Sequence, residues 1–159
     1  MTHPIVARAV AEGRGKLRED EALALLKAYG IPTPEYAVAR DEEEAVRAAE
    51  QMGYPVAAKI VSPQIVHKTD VGGVILGIAD PQVVREACRR LGEVVKKVPY
   101  AELEGVLIQK MVPKGVELIV GAVYDEISAT SWPSASAVYS PSSTKTSPCA
   151  LRQQTNKTQ

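Results

Sequence analysis

Residues 54–74 read YPVAAKIVSPQIVHKTDVGGV. One lysine, Lys59, stands in an apolar run with several β-branched residues. A short stretch further on carries His67, Lys68, Asp70 and the pair Gly72 and Gly73. A lysine delivered from a strand beside a glycine-bearing loop suits a polyphosphate. The ammonium is a compact positive charge, and glycines let backbone N–H groups come close to an anion. His67 adds a nucleophile, so the segment has the parts to pass a phosphoryl group on as well as to hold one. On pattern alone each residue also has a plainer reading. Lys59 is then a strand-end lysine whose stem snorkels to water, His67 a loop histidine without a role, and the glycine pair an ordinary turn.

The surrounding periodicity says what positions these groups. Glu19 to Tyr29 places Ala22, Leu25, Leu26 and Tyr29 on one helical face, with Gly30 and Pro32 ending it. A short strand is predicted over Tyr36 to Ala39. Asp41 and Glu44 form a capping-box pattern before a helix with an Ala45, Ala48, Ala49 and Met52 stripe, which Gly53 stops. Strands follow at Val56 to Val61 and Val74 to Ile78. Asp80 and Pro81 open a helix whose stripe is Val84, Ala87, Cys88 and Leu91, continuing to Val94 and Val95. Val106 to Val112 and Val116 to Val123 read as two strands joined by the turn Pro113-Lys114-Gly115. Helices and strands alternate, so the expected class is an α/β sandwich with helices on one side of a mixed sheet.

The bulk properties exclude several functions. The chain has 159 residues, 19 basic and 19 acidic side chains and a formal net charge of zero. That balance gives no case for electrostatic nucleic-acid binding. No apolar run approaches a bilayer span, and the start lacks a signal-peptide core, so no membrane association and a cytoplasmic location are expected. Cys88 and Cys149 match no metal or redox spacing. Cys88 falls on a helix's apolar face and is expected to be a buried, inert thiol.

Composition changes abruptly near residue 125. Residues 1–125 hold one serine and three threonines, whereas residues 126–159 hold eight serines and five threonines. The latter segment also carries a single acid, Glu126. Its Ser, Thr, Pro and Ala content predicts an irregular or disordered tail. The expected organisation is an arm over 1–15, a body over 16–125 and a divergent tail over 126–159.

Two blocks carry a resemblance: residues 21–74, ending in HKTDVGGV, and residues 105–125, GVLIQKMVPKGVELIVGAVYD. Together they resemble the first part of an ATP-grasp domain, of the branch that forms the nucleotide-binding subunit of ADP-forming acyl-CoA synthetases (acetate–CoA ligase). The resemblance covers about residues 16–125. It implies an acid–CoA ligase that interconverts acyl-CoA, ADP and phosphate with acid, CoA and ATP. It also implies bound ATP or ADP, Mg2+, a CoA-binding partner subunit or domain, and an oligomer.

His67 then matches the histidine thought to carry the phosphoryl group to ADP. Imidazole suits that task because it titrates near neutrality. Asp70 is the candidate to orient its other nitrogen. Lys59 matches the lysine on the nucleotide phosphates, and Gly72 and Gly73 the flexible loop over them. Lys68 either steers phosphate or solvates the loop. Gln109, Lys110, Met111 and Val112 resemble the hinge strand whose backbone reads the adenine edge, and Glu117 the acid on the ribose hydroxyls. Met111 also has the plainer reading of core packing.

The family's continuation, with a Phe-Gly step, a Gly-rich strand and the metal-holding acids, does not follow GAVYD here. Residues from about Glu126 onward are therefore expected to be a frame-shifted translation, and strands 106–112 and 116–123 to be exposed edges that favour association. The alternative is a non-catalytic nucleotide-binding or subunit-assembly module. A third reading, a succinyl-CoA synthetase or carboxylate–amine ligase, fits less well because amide-forming ligases need no carrier histidine.

Overall fold

The computed structural model describes residues 2–65 and 67–115, together with the backbone of strands 118–123 and 134–139. The chain divides into two units, Met1–Val112 and Pro113–Gln159. The elements of the first are α1 (Pro4–Ala11), α2 (Glu19–Ala28), β1 (Tyr36–Ala39), α3 (Glu42–Met52), β2 (Val56–Val61), β3 (Val74–Ile78), α4 (Pro81–Lys96) and β4 (Gly105–Lys110).

The four strands form one sheet in the order β1-β4-β2-β3. Every neighbouring pair is antiparallel, where a mixed sheet was expected. Strand pleating sends alternate residues to opposite faces. Val56, Ala58 and Ile60 of β2 and Val106 and Ile108 of β4 join the core with Ala45, Ala49, Val84, Ala87 and Leu91 of the two long helices. The helices start where their caps dictate. Asp41 accepts from Glu44 N–H at 2.8 Å and Asp80 from Val83 N–H at 3.0 Å, satisfying donors of each first turn. Cys88 lies partly buried on α4, and burial pushes its thiol up to about 11, which suits the inert role expected.

Three expectations need correction. The helices do not all lie on one side: α2 meets the face that α3 and α4 leave, where the Tyr36 hydroxyl donates to Asp20 C=O at 3.2 Å. The apolar stripe expected on α2 is also not its buried face. Leu26 and Tyr29 are 40% and 69% exposed, while Glu21 is 4% exposed. Glu21 accepts from Arg14 at 2.7 and 2.8 Å, from Arg8 at 3.2 Å and from Arg18 N–H at 3.0 Å, so α2 is fastened by charge. Third, β4 is no edge. It lies between β1 and β2, and the sheet's edges are β1 and β3.

The second unit contains β5 (Leu118–Val123) and β6 (Ser134–Tyr139), an antiparallel pair that aligns Leu118 with Tyr139 and Val123 with Ser134. β5 pairs with β6, so among the described residues the segment expected to be an irregular tail contains a strand. The β6 residues SASAVY are mostly small, so their Ser/Ala alternation is a weak strand signal. Among the described residues no helix is long and apolar enough to cross a membrane.

Candidate functional site

Register explains why Lys59 and the glycine loop converge. β2 and β3 pair Lys59 with Val74, the residue directly after Gly73. The chain between the two strands must therefore turn back on itself next to Lys59. Gly73 makes this possible: its N–H donates to Lys68 C=O at 2.6 Å, and its C=O accepts from Ile60 N–H at 3.0 Å. A Cβ at Gly73 would stand 2.8 Å from Ile60 Cδ1 and 3.0 Å from Lys68 O. Gly72 turns the chain at φ +73° with open space around it. The pair shapes the loop, but it does not line the cavity that the loop creates.

That open cavity, of about 440 Å³, is lined by Glu19, Lys59, His67, Lys68, Thr69, Asp70, Val74 and Leu76. The structure thus brings Lys59, His67, Lys68 and Asp70 to one place, as the sequence suggested. Asp70 meets His67 through the main chain, its N–H donating to His67 C=O at 3.3 Å. Among the described residues no hydrogen bond joins the Asp70 carboxylate to the imidazole, so the orienting contact expected of Asp70 is not made.

Sequence reading missed Glu19, the first residue of α2. Its Oε1 accepts from Lys59 Nζ at 2.5 Å and its Oε2 from Lys68 Nζ at 2.9 Å. One carboxylate bridges two ammonium groups, and with Asp70 also on the wall the cavity holds two carboxylates against two lysines. Burial alone would raise the Glu19 pKa, but the two lysine hydrogen bonds and their charges outweigh it, and the group is held below the ordinary range. The acidic run EDE marks a helix start in the sequence. Nothing local in it points to partners 40 and 49 residues away.

The stretch expected to read adenine, residues 109–112, divides by face. Gln109 pairs with Ala57 and, by alternation, shares the Lys59 face of the sheet. Lys110 points the other way, where its ammonium donates to Gly53 C=O at 2.7 Å and Tyr54 C=O at 3.1 Å. Its own N–H donates to Glu35 C=O at 2.8 Å and that of Met111 to Pro55 C=O at 3.2 Å. Met111 Sδ accepts from Gly77 N–H at 3.1 Å. The Lys110 ammonium and the Met111 sulfur are thus engaged with neighbouring backbone, and Val112 follows them 65% exposed. Glu117 lies outside the described residues. Among those residues, no group of three or more His, Cys, Asp or Glu side chains could hold a metal ion. The magnesium implied by the resemblance has no ligand set there.

Residues 8–128 match the ATP-grasp domain family. The chain belongs to the ATP-grasp family. Similar proteins narrow the branch. The ATP-grasp chain is 50% identical over 122 residues to the beta subunit of an ADP-forming acetate–CoA ligase (I) of Pyrococcus furiosus, covering 76% of this chain and 52% of that subunit. It is 46% identical over 112 residues to an ADP-forming 4-hydroxybutyrate–CoA ligase of Nitrosopumilus maritimus, covering 70% of this chain and 16% of that protein. The chain therefore spans about half the length of the Pyrococcus subunit.

Among solved structures, it resembles an acetyl-coenzyme A synthetase of Ca. Korarchaeum cryptofilum in complex with coenzyme A and Ca-AMPCP. The TM-score is 0.80 at 42% identity, over 86% of this chain and 59% of that one. A second structure of that enzyme holds coenzyme A and Mg-AMPPCP, with a phosphohistidine segment pointing towards the nucleotide binding site. It aligns with a TM-score of 0.69 at 35% identity, over 87% and 56% of the two chains.

Proposed function

We propose that this chain is the phosphate-gripping part of the nucleotide site of an ADP-forming acyl-CoA synthetase, working in the cytoplasm with a CoA-binding partner subunit or domain. The observation that carries the reading is the single cavity lined by Lys59, His67 and Lys68. Two ammonium groups beside an imidazole suit a phosphoryl group that is held and then transferred. In the direction of ATP formation, an oxygen of ADP's β-phosphate attacks the phosphorus carried by His67. The P–N bond breaks, its electron pair returns to the ring, and the imidazole leaves neutral when its other nitrogen bears a proton. Lys59 and Lys68 offset the charge of the transferring group. Magnesium, when bound, would screen the phosphate oxygens.

The second reading, a nucleotide-binding or assembly module without turnover, draws on the lack of a metal-ligating group among the described residues. One experiment separates the two. The full chain is incubated with γ-labelled ATP and magnesium, alone and with a His67→Ala change. Acid-labile label on the unchanged chain that disappears with His67→Ala supports the transfer reading. Label that survives the substitution removes His67 from the mechanism, and no label on either leaves the binding-module reading in place.

A further inference from the structure

The Glu19 bridge has the form of a resident anion. A carboxylate with one oxygen on Lys59 and the other on Lys68 occupies the position that two oxygens of a phosphoryl group would take between the same ammonium groups. Both lysines are largely covered, at 20% and 18% side-chain exposure. Each ammonium keeps further N–H donors, but a phosphate seated between the two, where the carboxylate now lies, must displace Glu19.

Glu19 also has somewhere to go. With Lys68 it lines a second cavity of about 400 Å³ that includes Lys16, Arg18 and Ser62. A carboxylate released from the lysines can turn into that space and meet cationic neighbours there.

We infer that Glu19 is a positioning residue and a displaceable counterion: it holds Lys59 and Lys68 side by side, and a polyphosphate binds by taking its place while the carboxylate turns towards Lys16 and Arg18. The bridge keeps the two ammonium groups from splaying apart, so the cradle is arranged before the anion arrives. It also sets a cost on anion entry, because the ligand competes with a carboxylate already hydrogen-bonded to both donors. This inference rests on the phosphate reading of the cavity.

The test uses tripolyphosphate as the probe on the full chain, measured by calorimetry for wild type, Glu19→Gln, and Glu19→Gln in a Lys59→Met/Lys68→Met background. Glu19→Gln removes the competing charge while keeping the side chain's shape. It is expected to tighten binding by about tenfold, and this gain should vanish in the double-lysine background. A spectroscopic readout separates displacement from a structural effect, and does not require the variant to fold. On adding tripolyphosphate to wild type, the Glu19 carboxyl carbon resonance should shift together with the Lys59 and Lys68 ammonium resonances. Tripolyphosphate that binds at the lysines with Glu19→Gln affinity unchanged or weaker, or with the Glu19 resonance unmoved, overturns the inference and leaves the phosphate reading standing. If neither wild type nor Glu19→Gln binds the probe, both fall.

Discussion

Gly73 and Ile60 meet back to back: Ile60 N–H donates to Gly73 C=O at 3.0 Å, and a Cβ on Gly73 would stand 2.8 Å from Ile60 Cδ1. Ile60 is fully buried, so it has no room to yield. This contact ties the loop bearing His67 and Lys68 to the strand bearing Lys59. Gly73→Ala should therefore cost about 2–3 kcal/mol of stability by overpacking. Gly72→Ala, which meets no atom within 4 Å but sits at φ +73°, should cost only about 1 kcal/mol. Urea unfolding of the two variants checks the order, and equal costs would contradict the close-contact account.

Acid should loosen α2 from α1 and from the segment that joins them. The hydrogen bond from Arg14 is the largest cause of the Glu21 shift; burial opposes it, and Arg18 N–H and Arg8 add to it, so the carboxyl is pulled down to about 2. A depressed carboxylate contributes stability that is present above its unfolded pKa and lost as pH falls through its folded one. At neutral pH the contribution is at most about 3 kcal/mol, and it should fade between about pH 4.5 and pH 2. Glu21→Gln should remove it and flatten the pH dependence of urea unfolding over that window. A variant that keeps the wild-type slope would contradict this assignment.

Lys110 should behave as a framework residue. Its ammonium holds the carbonyls of Gly53 and Tyr54, where α3 ends and β2 approaches. Lys110→Met should cost about 2 kcal/mol, the scale of hydrogen bonds to a charged group. Thermal unfolding measures that cost. An unchanged melt with weakened ATP binding would instead place the Lys110 side chain at the nucleotide site.

Much of the body was legible in the sequence because its signals are local. Gly53, the Asp41 and Asp80 caps and the alternation of β2 mark element ends and faces within a few residues. The bounds of β1, β2 and β3 follow from such marks. What escaped is held by charge rather than by apolar pattern. Burial of Glu21 among three arginines overrode the apolar stripe on α2. The Glu19 bridge spans segments whose sequence shows only a lysine here and an acid there. The cavity residues Lys59, His67 and Lys68 were readable from spacing, whereas the facing of Lys110 depended on strand register.

The family match ends at residue 128, just past the switch in Ser and Thr content. A shifted reading frame after about residue 125 would account for both, since codons for EISATSWPSASAV can be chosen to read DFGHVVAFGVGGI in another frame. Sequencing the coding region decides it. DNA that encodes SATSWPSASAVYS with no upstream shift ends this explanation and leaves a natural divergent segment.

The central claim is that Lys59, beside His67 and Lys68, grips nucleotide phosphates in one cavity. ATP binding to the full chain, compared for wild type and Lys59→Met by calorimetry, tests it most directly. The account predicts saturable binding that weakens about 10- to 100-fold on losing the ammonium. Equal affinity for the two chains, or no binding to wild type, would contradict it.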